Sequence, residues 1–151
     1  MFTVKKICFS GVVMAFYIVL MLLTQNFAFG QYQVRIATSL YALAASFPFL
    51  IVPLGLANGL SNLFMHTPVD AAGGFFVGII TSFVIYLIRK YKLSDLFIFL
   101  PICFIVGLGV PIWLAPILGL PYWTLAPSLL VGQAVCGVLG VSLAKAAKGF
   151  E

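Results

Sequence analysis

Long apolar runs separated by short polar breaks set the pattern of this chain. A first span is expected over about Ile7–Thr24, behind Lys5 and Lys6. Gln25-Asn26 and Gly30-Gln31 then mark an interface and a turn. A second span is expected over about Val34–Leu50, with Pro48 and Pro53 bracketing its end, and a short third over about Val52–Met65, closed by His66-Thr67-Pro68. A fourth runs over about Ala71–Ile88 and stops at Arg89-Lys90-Tyr91-Lys92. A fifth starts near Leu96, and its end is left open because Pro111 and Pro116 would each kink or break a helix. A sixth covers about Tyr122–Ala144, ahead of Lys145 and Lys148. At 1.5 Å rise, each is long enough or nearly so to cross about 30 Å of hydrocarbon. The expected fold is therefore an all-α membrane protein, a single bundle of six transmembrane helices over residues 1–151.

The charges test that count. With the N-terminus inside, six spans put Lys5 and Lys6, the Arg89-Lys90-Lys92 group, and Lys145 and Lys148 all on the cytoplasmic side, as the positive-inside rule expects. An odd number of spans would place one of these groups outside. Both termini are thus expected in the cytoplasm of a cell that holds the chain in its cytoplasmic membrane. Composition agrees. Of 151 residues, 64% are hydrophobic and 7% charged, against roughly 25% charged in a soluble domain. Mean hydropathy is +1.22. The net charge of +5 does not imply nucleic acid, because the cations sit in short groups between apolar runs rather than on one exposed face. Ala28-Phe29-Gly30 resembles a signal cleavage site. The apolar run before it exceeds a signal's 7–15 residues, so it reads as a retained span. Cys8, Cys103 and Cys136 all lie in apolar runs without metal spacing and read as small membrane-buried residues.

One cation escapes topology. Arg35 is the only Lys or Arg between Lys6 and Arg89, and it falls at the outer mouth of span 2. The same face collects His66, Asp70, Trp113, Tyr122 and Trp123. A cation, an anion, an imidazole and aromatic rings at one membrane face suit a small-molecule site. Three alternatives stand beside that reading. Arg35 and Asp70 could simply pair, His66 could be a cap, and the tryptophans could form an interfacial belt.

Four helical stripes of small or polar residues cross the spans. They are Arg35, Ser39, Ala42 and Ser46; Gly55, Gly59, Asn62 and His66; Asp70, Gly74, Gly78 and Ser82; and Gly132, Cys136, Gly140 and Ala144. Small residues let helices approach closely in lipid, so tight packing accounts for the glycines. Amides in lipid need partners, so Asn58, Asn62 and Gln133 should face other helices or a cavity. Span 1 carries Gly11-x-x-x-Ala15, a common small-x-x-x-small pattern.

With these features in place, the chain resembles the substrate-binding S component of an energy-coupling-factor (ECF) vitamin transporter. More narrowly, it is similar to the QueT family, the S components assigned to queuosine precursors. The segments that carry the likeness are YQVRIATSLYALAASFPF, Asn62 to Phe64, Asp70-x-x-x-Gly74, Leu120-Pro-Tyr-Trp and Gly132-Gln-Ala-Val-Cys. The resemblance implies a subunit that binds a heterocycle at its outer face and topples against a T subunit, with two partner ATPases driving the cycle. This chain has no phosphate-binding loop of its own. It implies no cofactor and no catalytic residue. Gly11 and Ala15 then match the face that docks on the T subunit. The candidate ligand set is Arg35, Thr38, Asn62, His66, Asp70, Trp113, Trp123 and Gln133. Two departures bear on the ligand. Family members often carry a Glu soon after the arginine, where this chain has Ala37-Thr38. They also tend to carry one after the span-6 glycine, where it has Gln133. Fewer carboxylates disfavour a cationic aminomethyl deazaguanine relative to a neutral cyano form or free base. The competing readings are an S component for another heterocycle, and a membrane enzyme or structural protein. One His and three acidic residues give an enzyme little to work with.

Overall fold

The computed structural model describes residues 3–24 and 35–150. The break between spans 1 and 2, including Gln25-Asn26, Ala28-Phe29-Gly30, Gly30-Gln31 and the expected start of span 2 at Val34, lies outside the described residues. Six helices build the bundle. Helix α1 (Val4–Leu23) is followed by a 3-10 helix (Ile36–Ala45), α2 (Ile51–Met65) and α3 (Pro68–Lys90). Helix α4 (Val106–Leu118) completes an apolar run that starts at Asp95, and α5 (Tyr122–Ala147) is the longest. Counting α2 from Pro48 and α4 from Asp95, five of the six are long and apolar enough to cross a membrane.

The second expected span is the one that differs. Its core is a 3-10 helix of ten residues, which at about 2.0 Å rise extends roughly 20 Å. The hydroxyls of Thr38 and Ser39 bond back to the carbonyls of Arg35 and Ile36, each at 2.7 Å. These bonds reinforce the three-residue turn that the backbone makes from Thr38 N to Arg35 O. Irregular hydrogen bonding survives at membrane depth where protein covers it. Here every residue from 37 to 42 is buried, enclosed mainly by α3 and α5. The expected row Arg35, Ser39, Ala42, Ser46 assumed a 3.6-residue period. In the 3-10 helix the row becomes Arg35, Thr38, Tyr41 and Ala44 instead.

The fifth span is less broken than its prolines suggest. Pro111 and Pro116 both lie inside α4, and the backbone groups they free are tolerated among neighbouring helices. Tyr122 donates its hydroxyl hydrogen to the Leu108 carbonyl at 2.8 Å, pinning α5 to α4. The run ends where Gly119 turns left-handed at φ +70°.

Glycine packing accounts for the stripes on α2 and α3. A Cβ on Gly78 would lie 2.9 Å from the Gly55 Cα, and one on Gly59 would lie 3.2 Å from the Ala71 carbonyl oxygen. On α5, Gly140 leaves room for Ile102 and Gly137 for the ring of Phe99. Helix α1 is held more lightly. It buries only Ser10, Val13, Tyr17 and Met21, a single seam, and packs mostly on α2.

The connections sort into two ends. Lys5, Lys6 and Phe9 share a cavity with Phe47 and Phe49, and Phe9 and Phe47 share another with Leu143 and Ala147. Arg89 and Lys148 both reach Asp95. One end thus gathers the start of α1, the corner before α2, the α3–α4 turn and the end of α5. The opposite end holds Arg35, His66, Asp70 and Trp113.

Candidate functional site

Asp70 is the centre of that opposite end. Thr67 caps α3 by accepting the Asp70 N–H at 3.2 Å, and Pro68 occupies the first turn, where its missing N–H costs nothing. This fixes Asp70 in the first turn, where the positive end of the helix dipole favours a carboxylate. Its side chain is fully buried. Trp113 of α4 donates its indole N–H to Asp70 Oδ1 at 2.8 Å. Asp70 Oδ2 lies 2.9 Å from His66 Nδ1 and 3.8 Å from Arg35 Nη2. Neither of these two contacts closes as a hydrogen bond. His66 ends α2, its backbone N–H bonding to Asn62 O at 2.8 Å. His66 and Asp70 do not share a helix face, as Pro68 between them foretells, yet the corner folds them together.

Arg35 is itself buried, at 2% exposure. The mouth-facing arginine expected from sequence is thus enclosed. It starts the 3-10 helix, and its carbonyl accepts from the Cys136 thiol of α5 at 3.0 Å. One turn on, the Thr38 hydroxyl sits 3.0 Å from Gln133 Oε1. Cys136 is therefore more than a small filler: it ties α5 to the backbone that carries Arg35.

A chain of amides and phenols leads from this centre into the bundle. Asn62 Nδ2 donates to the Asp70 carbonyl at 3.3 Å and to Asn58 Oδ1 at 3.1 Å. Asn58 Nδ2 donates to Gly74 O at 2.9 Å and to the Tyr41 hydroxyl at 2.6 Å. Tyr41 and Tyr17 share a hydrogen bond at 3.2 Å. All of these side chains are buried. Gly74 makes the chain possible, because a Cβ there would collide with the Asn62 amide. Two acceptors remain without a hydrogen bond, Asp70 Oδ2 and Asn62 Oδ1. Buried acceptors are nearly always paired, so both are candidate contacts for a ligand donor, Asp70 Oδ2 having His66 Nδ1 at 2.9 Å as its nearest described neighbour among the ion pairs.

Of the eight candidate ligand residues, Arg35, His66 and Trp113 come together around the Asp70 carboxylate, and Asn62 holds the Asp70 main-chain carbonyl. Thr38 and Gln133 form an adjoining pair. Trp123 does not join them. It is 79% exposed and meets Tyr122 edge-on at 5.2 Å between ring centres, which suits an interfacial ring. Sequence reasoning missed Tyr17, Tyr41 and Gly73. The Trp113 ring lies flat on Gly73, where a Cβ would come within 2.5 Å of its Cε2 and Cζ2 atoms. The three-residue row from Arg35 through Thr38 to Tyr41 was the signal for Tyr41. Gly11 and Ala15 lie together on the exposed side of α1, and nothing approaches within 4 Å of where a Gly11 Cβ would stand.

The arrangement can accept donors at two buried oxygens, present a guanidinium beside them, and place an indole at the edge. A family model described as QueT transporter matches residues 7–149. No curated protein and no solved structure matches the chain.

Proposed function

The chain belongs to the QueT transporter family, and from that premise we propose that it is the S component of an ECF-type importer for a queuosine precursor, a deazaguanine base. Membership makes it a multi-pass membrane protein and a substrate-binding transport component rather than an enzyme. The finer reading rests on the two open acceptors, Asp70 Oδ2 and Asn62 Oδ1. A guanine-like edge carries a ring N–H and an exocyclic amine, two donors side by side, and a carboxylate with an adjacent amide oxygen matches them. Arg35 offers donors to a ring carbonyl, and Trp113 offers an aromatic face or edge. The termini and the Arg89-Lys90-Lys92 turn face the cytoplasm in this reading, which puts the Asp70 cluster at the outer side. The small exposed face at Gly11 and Ala15 is the docking surface for a T subunit, and two partner ATPases supply the energy.

The charges select within the substrate class. Asp70 is the one acid at this end among the described residues and its charge is already balanced by the Arg35 guanidinium at 3.8 Å, so an additional ammonium on the ligand finds no acid of its own. The neutral cyano form or the free base binds more tightly than the aminomethyl form. The test is titration of the purified chain with the cyano and aminomethyl deazaguanines and with queuine, followed by calorimetry and tryptophan fluorescence. Binding of the cyano form or the free base, lost in Asp70→Asn, supports the assignment. A clear preference for the aminomethyl form sinks the charge argument, and no binding of any of the three removes the substrate assignment. Copurification with a T subunit and ATPases tests the partner reading separately.

A further inference from the structure

The cationic end of the bundle carries a second candidate site. Helix α3 ends there in a cap in which Lys92 N bonds to Arg89 O and Leu93 N bonds to Ile88 O, each at 3.0 Å. This pairing is the helix-closing motif that calls for a left-handed residue, usually glycine. Here the residue is Lys92, at φ +58°, the one non-glycine with positive φ among the described residues. A Cβ in that conformation is unfavourable, so its side chain is set in place at a cost to the backbone. Leu93, the next residue, is a wall of an apolar groove. So is Ile88, two residues before Lys90.

The groove has a volume of about 410 Å³ and is lined by Ile88, Leu93, Phe97, Leu100, Phe104 and Ile105 among others. Volumes of about 300–1,000 Å³ are typical of small-molecule sites. Its long wall follows the spacing Leu93, Phe97, Leu100, Phe104, four, three and four residues apart. That row runs from the charged turn into the membrane through the 3-10 helix Asp95–Ile98, a length of about 16–22 Å at 1.5–2.0 Å per residue. A π-helical turn over Pro101–Ile105 supplies its deep end. Leu93, Phe97, Leu100 and Phe104 are all exposed on the perimeter of the bundle. The groove therefore lies along the direction a lipid tail takes, open to lipid, with cations at its mouth.

The described acids are Asp70, at the other end, and Asp95. Asp95 is taken by Arg89 Nη2 at 2.9 Å and Lys148 Nζ at 2.7 Å. Lys90 and Lys92 are exposed and have no acidic partner among the described residues. We infer that the groove holds an acyl chain of an anionic phospholipid, with Lys90 and Lys92 on its phosphate. Apolar walls with two uncompensated ammoniums at the leaflet surface complement such a lipid in both shape and charge.

The test is native mass spectrometry of the full chain released from detergent with equal amounts of dioleoyl phosphatidylglycerol and dioleoyl phosphatidylcholine. The wild type is expected to retain the anionic lipid on the order of tenfold over the zwitterionic one. The Lys90→Gln/Lys92→Gln variant loses that preference, whereas Lys5→Gln/Lys6→Gln keeps it. Leu100→Trp, which fills the groove, lowers retention of both lipids. Both lysines are exposed, so the double variant leaves the core intact. Equal retention of the two lipids by the wild type overturns the proposal. So does a preference that survives Lys90→Gln/Lys92→Gln, or retention unchanged by Leu100→Trp.

Discussion

Each end of the bundle is built around one buried aspartate, and the two are used differently. At the cationic end, both oxygens of Asp95 are filled, by Arg89 Nη2 and by Lys148 Nζ. Lys148 is 53% exposed, so water shares the work. At the other end Asp70 is enclosed, its partners come from the 3-10 helix, α2 and α4, and Oδ2 has no hydrogen bond. A saturated carboxylate acts as a clasp. It holds the α3–α4 turn to the end of α5. An unsaturated one, ringed by donors on separate helices, suits the receiver that the proposed site requires. Number of charges does not separate the two. The number of oxygen lone pairs left open does.

The sharpest way to break this contrast is Asp70→Asn. It is expected to weaken deazaguanine binding on the order of a hundredfold, by removing a charge-assisted hydrogen bond. It also costs about 3 kcal/mol of stability, because the carboxylate beside the buried Arg35 guanidinium is gone. Calorimetry and a thermal melt read the two effects. Next comes Gly73→Ala, which pushes the Trp113 ring off its seat. Binding should fall on the order of tenfold, at a packing cost of about 1–3 kcal/mol, with a shift in tryptophan emission. Asp95→Asn should leave ligand affinity unchanged and lower stability by about 1 kcal/mol, less in high salt. If it weakened binding as much as Asp70→Asn, the division between clasp and receiver would collapse. The smallest effect belongs to Trp123→Ala, which should change affinity by less than about twofold, as for an exposed residue away from the site.

The architecture was legible because it rests on long-range averages. Apolar run length alone marks the helices, six of them, of which five are long and apolar enough to cross a membrane. The glycine stripes on α2 and α3 were legible too, since small residues at four-residue spacing have one main use in lipid. The 3-10 helix was not. Its residues, Ile36-Ala37-Thr38-Ser39-Leu40-Tyr41, fit a 3.6 period as well as a period of three. What helps decide between them is hydrogen bonding by Thr38 and Ser39 and enclosure by two other helices. The site was half legible for the same reason. Arg35, His66 and Asp70 stood out as polar residues at one membrane face. Their burial, and the wiring through Asn58 and Tyr41 to Tyr17, depend on which helices touch. Trp123 could not be assigned from sequence, because an aromatic residue near a site and one in an interfacial belt look alike along the chain; its 79% exposure favours the belt.

The 3-10 helix is also a ruler, whose length depends on how it is wound. Ten residues extend roughly 20 Å as a 3-10 helix and would extend about 15 Å if wound as an α-helix. The end near Pro48 is held by the packing of Phe47 against Phe9 and Phe49. Rewinding would therefore withdraw Arg35 about 5 Å from Asp70 along the helix axis. Length, rather than tilt, would then be the variable that opens the Asp70 end. Spin labels at Ile36 and Phe49 would measure it directly, and a separation that stays fixed with and without substrate would show that the ruler never changes setting.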